Sequence, residues 1–175
     1  MYNNFFSALN RTFHRHQPAE SHARAIKAGL GGALAITTLV LFGYVSESAL
    51  LMAPFGASCV LLFSLPKSPL SQPVNVIAGH MVSVIIGLAL HSFLPVEWWS
   101  LALAVGLAIA VMAALRVTHP PAGADPIVIF FSSPGWEYLF FPAIFGSLVL
   151  VFIALAFHKI PPKTIYPLPV FENKD

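Results

Sequence analysis

The chain has 175 residues and a formal net charge of +2, and it is 57% hydrophobic but only 9% charged. The few charges lie between long uncharged runs, which excludes packing as a water-soluble globule and points to a multi-pass membrane protein. Cys59 is the single cysteine, so no internal disulfide can form and the redox compartment cannot be read from it.

Residues 1–24 read as a cytoplasmic arm. Phe5, Phe6, Leu9 and Phe13 recur at helical spacing with Arg11 and Arg15 among them, which suits a short helix lying on an anionic inner leaflet; a disordered arm with scattered aromatics is the alternative. The first apolar run is long for a signal-peptide core and reads as an uncleaved span. A span needs roughly 20 apolar residues, and full helices are expected at about 28–46, 74–94, 98–116 and 138–158. Two shorter apolar pieces remain, at 56–65 and 123–132. Ten residues cover only about 15 Å, half the hydrocarbon core, so these pieces read as half-helices. Each follows a segment that proline breaks, Met52-Ala53-Pro54-Phe55 and Thr118-His119-Pro120-Pro121. Irregular backbone at membrane depth survives only where it is buried in protein or lines a cavity. Beyond a transmembrane domain at 25–160, residues 161–175 carry Pro161, Pro162, Pro167 and Pro169 and read as an extended cytoplasmic tail.

The chain says nearly the same thing twice. Pro54-Phe55-Gly56-Ala57 recurs 67 positions later as Pro121-Ala122-Gly123-Ala124, and the same offset places Gly79 on Gly146, His91 on His158 and Pro95 on Pro162. The expected fold is therefore all-α and membrane-integral, with two three-segment repeats at about 28–95 and 98–162, each holding a broken half-helix near the midplane. Three crossings per repeat is an odd number, so the second copy must be inverted. With the N-terminus inside, every lysine and arginine from Arg11 to Lys174 falls on the cytoplasmic side and Glu47, Glu97 and Glu137 mark the outer turns. Both termini are expected in the cytoplasm, and the setting is expected to be a bacterial inner (plasma) membrane.

Chemistry is expected where the two half-helices begin. A helix leaves its first four N–H groups unpaired and carries about half a positive charge at that end, so two opposed half-helix starts would form an anion site made of main chain. Small residues there, Gly56, Ala57, Gly123 and Ala124, let a substrate approach the backbone closely.

The run Arg116-Val117-Thr118-His119-Pro120-Pro121-Ala122-Gly123-Ala124-Asp125-Pro126 resembles the signature of the HPP family of integral membrane proteins, and Ala53-Pro54-Phe55-Gly56-Ala57 resembles that family's earlier motif. The likeness covers roughly residues 25–160. Members from photosynthetic organisms are associated with nitrite transport, so the resemblance implies a transporter or channel for a small inorganic anion, nitrite foremost. It implies no enzyme activity, and no cofactor, metal or nucleic-acid partner is expected.

The substrate-binding set expected from these readings is Pro54, Phe55, Gly56, Ala57, Ser58, Asn75, His80, Arg116, Thr118, His119, Pro120, Pro121, Gly123, Ala124 and Asp125. Asp125 reads either as a helix cap or as a proton-carrying acid. His119, which replaces Met52 at the matching place in the second repeat, reads as a hydrogen-bond donor or proton relay. Arg116 is a gating charge or a snorkelling anchor. Asn75 and His80 either line the pathway or bond between helices, and Ser58, at the place matching Asp125, is a neutral donor. Ala28 and Gly32, and the series Ala102, Gly106, Ala110 and Ala114, make flat faces for close packing, and a homo-oligomer in the lipid bilayer is expected. Two other classes stand beside transport: an intramembrane metal enzyme built on His80, His119 and Asp125, and a non-transporting scaffold.

Overall fold

The computed structural model describes residues 11–47 and 50–169, and all regular structure among them is helical. The helices are α1 (His22–Ser46), α2 (Pro54–Ser64), α3 (Pro73–Phe93), α4 (Trp98–Ala114), α5 (Asp125–Ser132) and α6 (Phe145–Phe157). Tight 3-10 turns at Pro69–Ser71 and Pro120–Ala124 precede α3 and α5, and a wider π turn at Leu139–Ile144 leads into α6. Three helical stretches are long and apolar enough to cross a membrane, His22–Ser46, Pro73–Phe93 and Leu139–Phe157; Pro54–Ser64 and Trp98–Ala114 are shorter apolar helices. The expected interfacial helix over residues 5–13 lies largely outside the described residues, of which 11–13 are helical.

Local chemistry sets the helix ends. Ser21 caps α1 by accepting the Arg24 amide at 3.4 Å, and the Glu97 amide donates to Ser100 Oγ at 3.1 Å where α4 begins. Proline occupies the first turn of α2, α3 and α5, a position where its missing N–H removes no helical hydrogen bond. α1 stops at Glu47 and α5 at Ser133, both in the left-handed conformation.

The surface is that of a protein in an apolar solvent. α1 buries only Gly31, Ala35 and Leu39, a narrow stripe facing α2 and α6, while Leu30, Leu34, Val40, Leu41 and Phe42 are exposed. In water such a surface would aggregate; in a bilayer it is the lipid-facing side.

α3 is the central helix and packs against α4, α5, α6 and the 3-10 segment ahead of α5. It comes close because glycines face its neighbours. A Cβ on Gly79 would sit 2.6 Å from His119 Cβ and 3.1 Å from the Val117 carbonyl oxygen, and one on Gly87 would sit 3.2 Å from Pro126 Cα. A reciprocal contact occurs at the matching place: a Cβ on Gly146 would meet the Leu50 carbonyl oxygen at 3.2 Å and the Phe55 ring at 2.5 Å.

The tail is not free. Residues 161–168 fold back across the end of α2 and the turn into α3. The Tyr166 hydroxyl donates to the Ser71 carbonyl at 3.0 Å, the Leu168 amide donates to Gln72 Oε1 at 2.8 Å, and Lys27 Nζ donates to the Ile160 and Pro162 carbonyls. Burial pushes the Tyr166 phenol above its ordinary range, which keeps the hydroxyl protonated as a donor. The described part of the tail, which has no regular structure, is thus held against the helices as a strap.

Gly79→Ala is expected to destabilise the fold by about 1–3 kcal/mol through overpacking against His119. Gly29→Ala, at a helical position where a Cβ meets nothing within 4 Å, should raise stability by up to about 1 kcal/mol. Thermal unfolding midpoints of the two variants in detergent would check this opposition of sign.

Candidate functional site

Where the two prolyl breaks come together, four polar side chains are fully buried: Ser58, His80, His119 and Asp125. Each stands on a different piece of the chain. Ser58 is one turn into α2, His80 is on α3 beside Gly79, His119 precedes the 3-10 turn, and Asp125 opens α5. They are joined in one line. Asp125 Oδ2 lies 2.9 Å from His80 Nδ1, His80 Nε2 lies 3.0 Å from Ser58 Oγ, and Ser58 Oγ lies 2.9 Å from His119 Nε2. The line ends at the Leu70 carbonyl, 2.9 Å from His119 Nδ1. The Phe55 ring stands edge-on against His80 with centroids 5.1 Å apart.

The hydrogen atoms in this line can be counted. A carbonyl only accepts, so His119 Nδ1 carries a hydrogen toward Leu70. If His119 is neutral, its Nε2 accepts, and the single Ser58 hydrogen is committed to it. Ser58 then offers His80 only a lone pair, so His80 Nε2 must carry a hydrogen. One further proton lies between His80 Nδ1 and Asp125 Oδ2, either on the acid or on the ring. Reversing Ser58 moves the same proton to His119 as imidazolium, with Asp125 a carboxylate and every link still made. All three arrangements hold one proton more than a carboxylate and two neutral imidazoles, and all are neutral overall. Removing that proton leaves one histidine nitrogen without a donor and a net negative charge at full burial, both costly in an apolar core. The arrangement can therefore hold a proton and pass it between Asp125 and His119 through Ser58. A longer contact from Ser58 Oγ to the Pro54 carbonyl, 3.3 Å, is the competing acceptor. Asp125 Oδ1 is buried and unpaired among the described residues.

Main-chain donors near the breaks are largely engaged. The Phe55, Gly56 and Ala122 amides donate to the carbonyls of Met52, Ala53 and His119 at 3.0, 3.2 and 3.0 Å, and the Asp125 amide donates to Ala122. Polar lining therefore comes from side chains. Among the described residues the Asp125 carboxylate meets only His80, through Oδ2, and caps no helix amide. Asn75 donates to the Thr118 carbonyl at 3.0 Å, a bond between elements that supports the break. Pro54 and Pro121 are buried while Gly56, Ala57 and Pro120 are exposed and Gly123 and Ala124 are partly so. Ala57 and Ala124 flank an open apolar groove of about 690 Å³ together with Pro54, Pro120 and Pro121. Arg116, in the left-handed conformation with φ 61°, is exposed where α4 ends and stands apart from the buried line.

Two participants escaped the sequence reading. Ser83 donates to the Ala122 carbonyl at 2.6 Å, and its spacing from Gly79, His80 and Gly87 along one helical face was a usable signal. The Leu70 carbonyl, being backbone, offered none.

Proteins related to this chain agree with the membrane reading. The family described as HPP, transmembrane region, matches residues 17–167. The chain belongs to the HPP transmembrane family. Two transmembrane proteins of Dictyostelium discoideum are similar to this HPP protein. One is 37% identical over 130 residues, covering 70% of this chain and 42% of the relative. The other is 33% identical over 131 residues, covering 70% and 46%. The chain thus spans less than half the length of these relatives. No solved structure matches it. Within the HPP triplet the three residues divide the work: His119 enters the buried line, Pro120 opens the 3-10 turn, and buried Pro121 fills the break.

Ser58→Ala should cost about 1–3 kcal/mol, because both histidine Nε2 atoms lose their shared partner at full burial. Asp125→Asn should be far milder than Asp125→Ala, since an amide donates to His80 Nδ1 as a neutral acid does; unfolding midpoints of the three variants would test the ranking.

Proposed function

We propose that this HPP protein carries a small inorganic anion across the membrane, with nitrite the foremost candidate, and that one proton moves with it. The observation that carries the reading is the buried line Asp125–His80–Ser58–His119, which completes its hydrogen bonds only with one exchangeable proton. Ionisable groups at membrane depth are costly and are kept for function as a rule. A potential of about 100 mV, negative inside, opposes entry of one anionic charge by about 2.3 kcal/mol. A proton carried along cancels that cost. The nitrite assignment rests on the family resemblance of the 116–126 motif.

The transporting unit is taken as residues 25–160, with six segments in two inverted repeats, two of them half-helices, and both termini on the cytoplasmic side of a plasma membrane. Reciprocal contacts support a two-fold relation. Gly79 faces the Val117 carbonyl while Gly146 faces that of Leu50, each pair being the other shifted by 67. His91 lies on Phe130 with centroids 5.3 Å apart and His158 on Phe63 at 6.1 Å, again related by the same shift. The exposed small face of Ala102, Gly106, Ala110 and Ala114 is taken as the contact of a homo-oligomer.

Liposomes containing only this protein should accumulate nitrite when an inward proton gradient is imposed. His119→Gln and Asp125→Asn should each abolish gradient-driven uptake while leaving the folded protein intact, because neither amide can carry the proton. Normal gradient-driven uptake in both variants would overturn the relay, and absence of any nitrite flux in the wild type would overturn the substrate.

A further inference from the structure

A second cavity, of about 1220 Å³, opens between α1 and α2 at the end of the molecule where the basic residues gather. Arg24, Lys27, Lys67 and Lys163 stand around its mouth against one acid, Glu20. Two of the four cations are tied down: Arg24 pairs with Glu20 at 3.3 Å, and Lys27 bonds the Ile160 and Pro162 carbonyls. Lys67 and Lys163 remain exposed at the rim. Below the mouth the lining turns apolar, running down Ala33 and Ile36 on α1 and Val60 and Phe63 on α2. Glycines keep it open. A Cβ on Gly29 or Gly56 would meet no atom within 4 Å, and one on Gly32 would meet only Cys59 Cβ at 3.7 Å.

Depth identifies the kind of ligand. From Lys27 to Ile36 the helix rises about 14 Å, close to the roughly 15 Å of one leaflet's hydrocarbon. A slot with cations at the interface and an apolar floor one leaflet deep is complementary to an acyl chain beneath an anionic headgroup. A small inorganic anion would leave most of the volume empty, and the apolar floor would offer it nothing. We propose that this cleft binds an anionic phospholipid of the leaflet it opens toward, with the phosphate between Lys67 and Lys163 and one acyl chain along Gly29, Gly32 and Gly56. The site is separate from the buried histidine line and does not rest on the anion-transport reading.

The test is native mass spectrometry of the protein extracted from bilayers of equimolar phosphatidylglycerol and phosphatidylcholine. Wild type should retain phosphatidylglycerol preferentially, each rim lysine contributing about fivefold. Lys67→Gln with Lys163→Gln should abolish the preference without abolishing retention. Gly32→Leu and Gly29→Leu should fill the slot and release the lipid; their unfolding midpoints, compared with wild type, show whether the fold is kept. Equal retention of both lipids by wild type overturns the proposal, as does undiminished phosphatidylglycerol in a folded leucine variant. Displacement of the lipid by inorganic phosphate alone would assign the mouth to a soluble anion, and cross-linking of Gly29→Cys to a second copy in a Cys59→Ala background, in place of bound lipid, would assign the cleft to an oligomer contact; Cys59 is removed because it lies within disulfide reach of the cleft at Gly32. Either result overturns it.

Discussion

A membrane chain that leaves α-helix between Ala114 and Asp125, with Pro120-Pro121 in the gap, must satisfy the backbone groups of that segment from within, because lipid offers neither donor nor acceptor. One face of α3 meets that demand. Asn75 takes the Thr118 carbonyl and Ser83 that of Ala122, while Gly79 and Gly87 remove the side-chain bulk that would hold the broken segment away. The same face carries His80 into the junction. The buried polar line is thus a consequence of where the break has to be supported.

Burial then dictates the charge of that line. Four polar groups with no exposure cannot hold an uncompensated charge, and their hydrogen-bond directions cannot all be satisfied with one proton fewer. Ser58 is what makes the two histidines a single unit, because its one hydrogen can point only one way at a time. A carboxylate at position 58 would add a second buried acid to the same line, which a neutral hydroxyl avoids.

The far end of the line is anchored on a turn that the tail holds down. His119 bonds the Leu70 carbonyl, and the next residue, Ser71, accepts from Tyr166 through its own carbonyl. Ser71 Oγ ties the turn to the end of α2 through the Leu61 and Leu65 carbonyls. Surface strap and buried site are anchored on adjacent residues, Leu70 and Ser71, so the position of His119 depends on packing at the surface as well as in the core.

Composition and run length were enough to read the membrane character and helices near 28–46, 74–94, 98–116 and 138–158, because each depends on local residues and on the length needed to cross hydrocarbon; the third is the shorter Trp98–Ala114 where a full span was expected, and the fourth opens with a π turn whose Phe141 is non-helical. His119, Asp125, Ser58 and His80 were legible as candidates for the same reason: polar groups in apolar runs stand out. Their joining was not legible. Ser58, His80 and Asp125 lie 22 and 45 residues apart, and nothing local says that the Asp125 carboxylate turns to His80 instead of capping its own helix. The roles of Asn75 and Ser83, the Leu70 carbonyl and the Tyr166 strap likewise belong to the packing of separate elements. Sequence by itself determined which groups had to be buried; only the tertiary structure decided which partners would satisfy them, because hydrogen bonds between distant segments exist only once those segments are brought within 3 Å or so of one another.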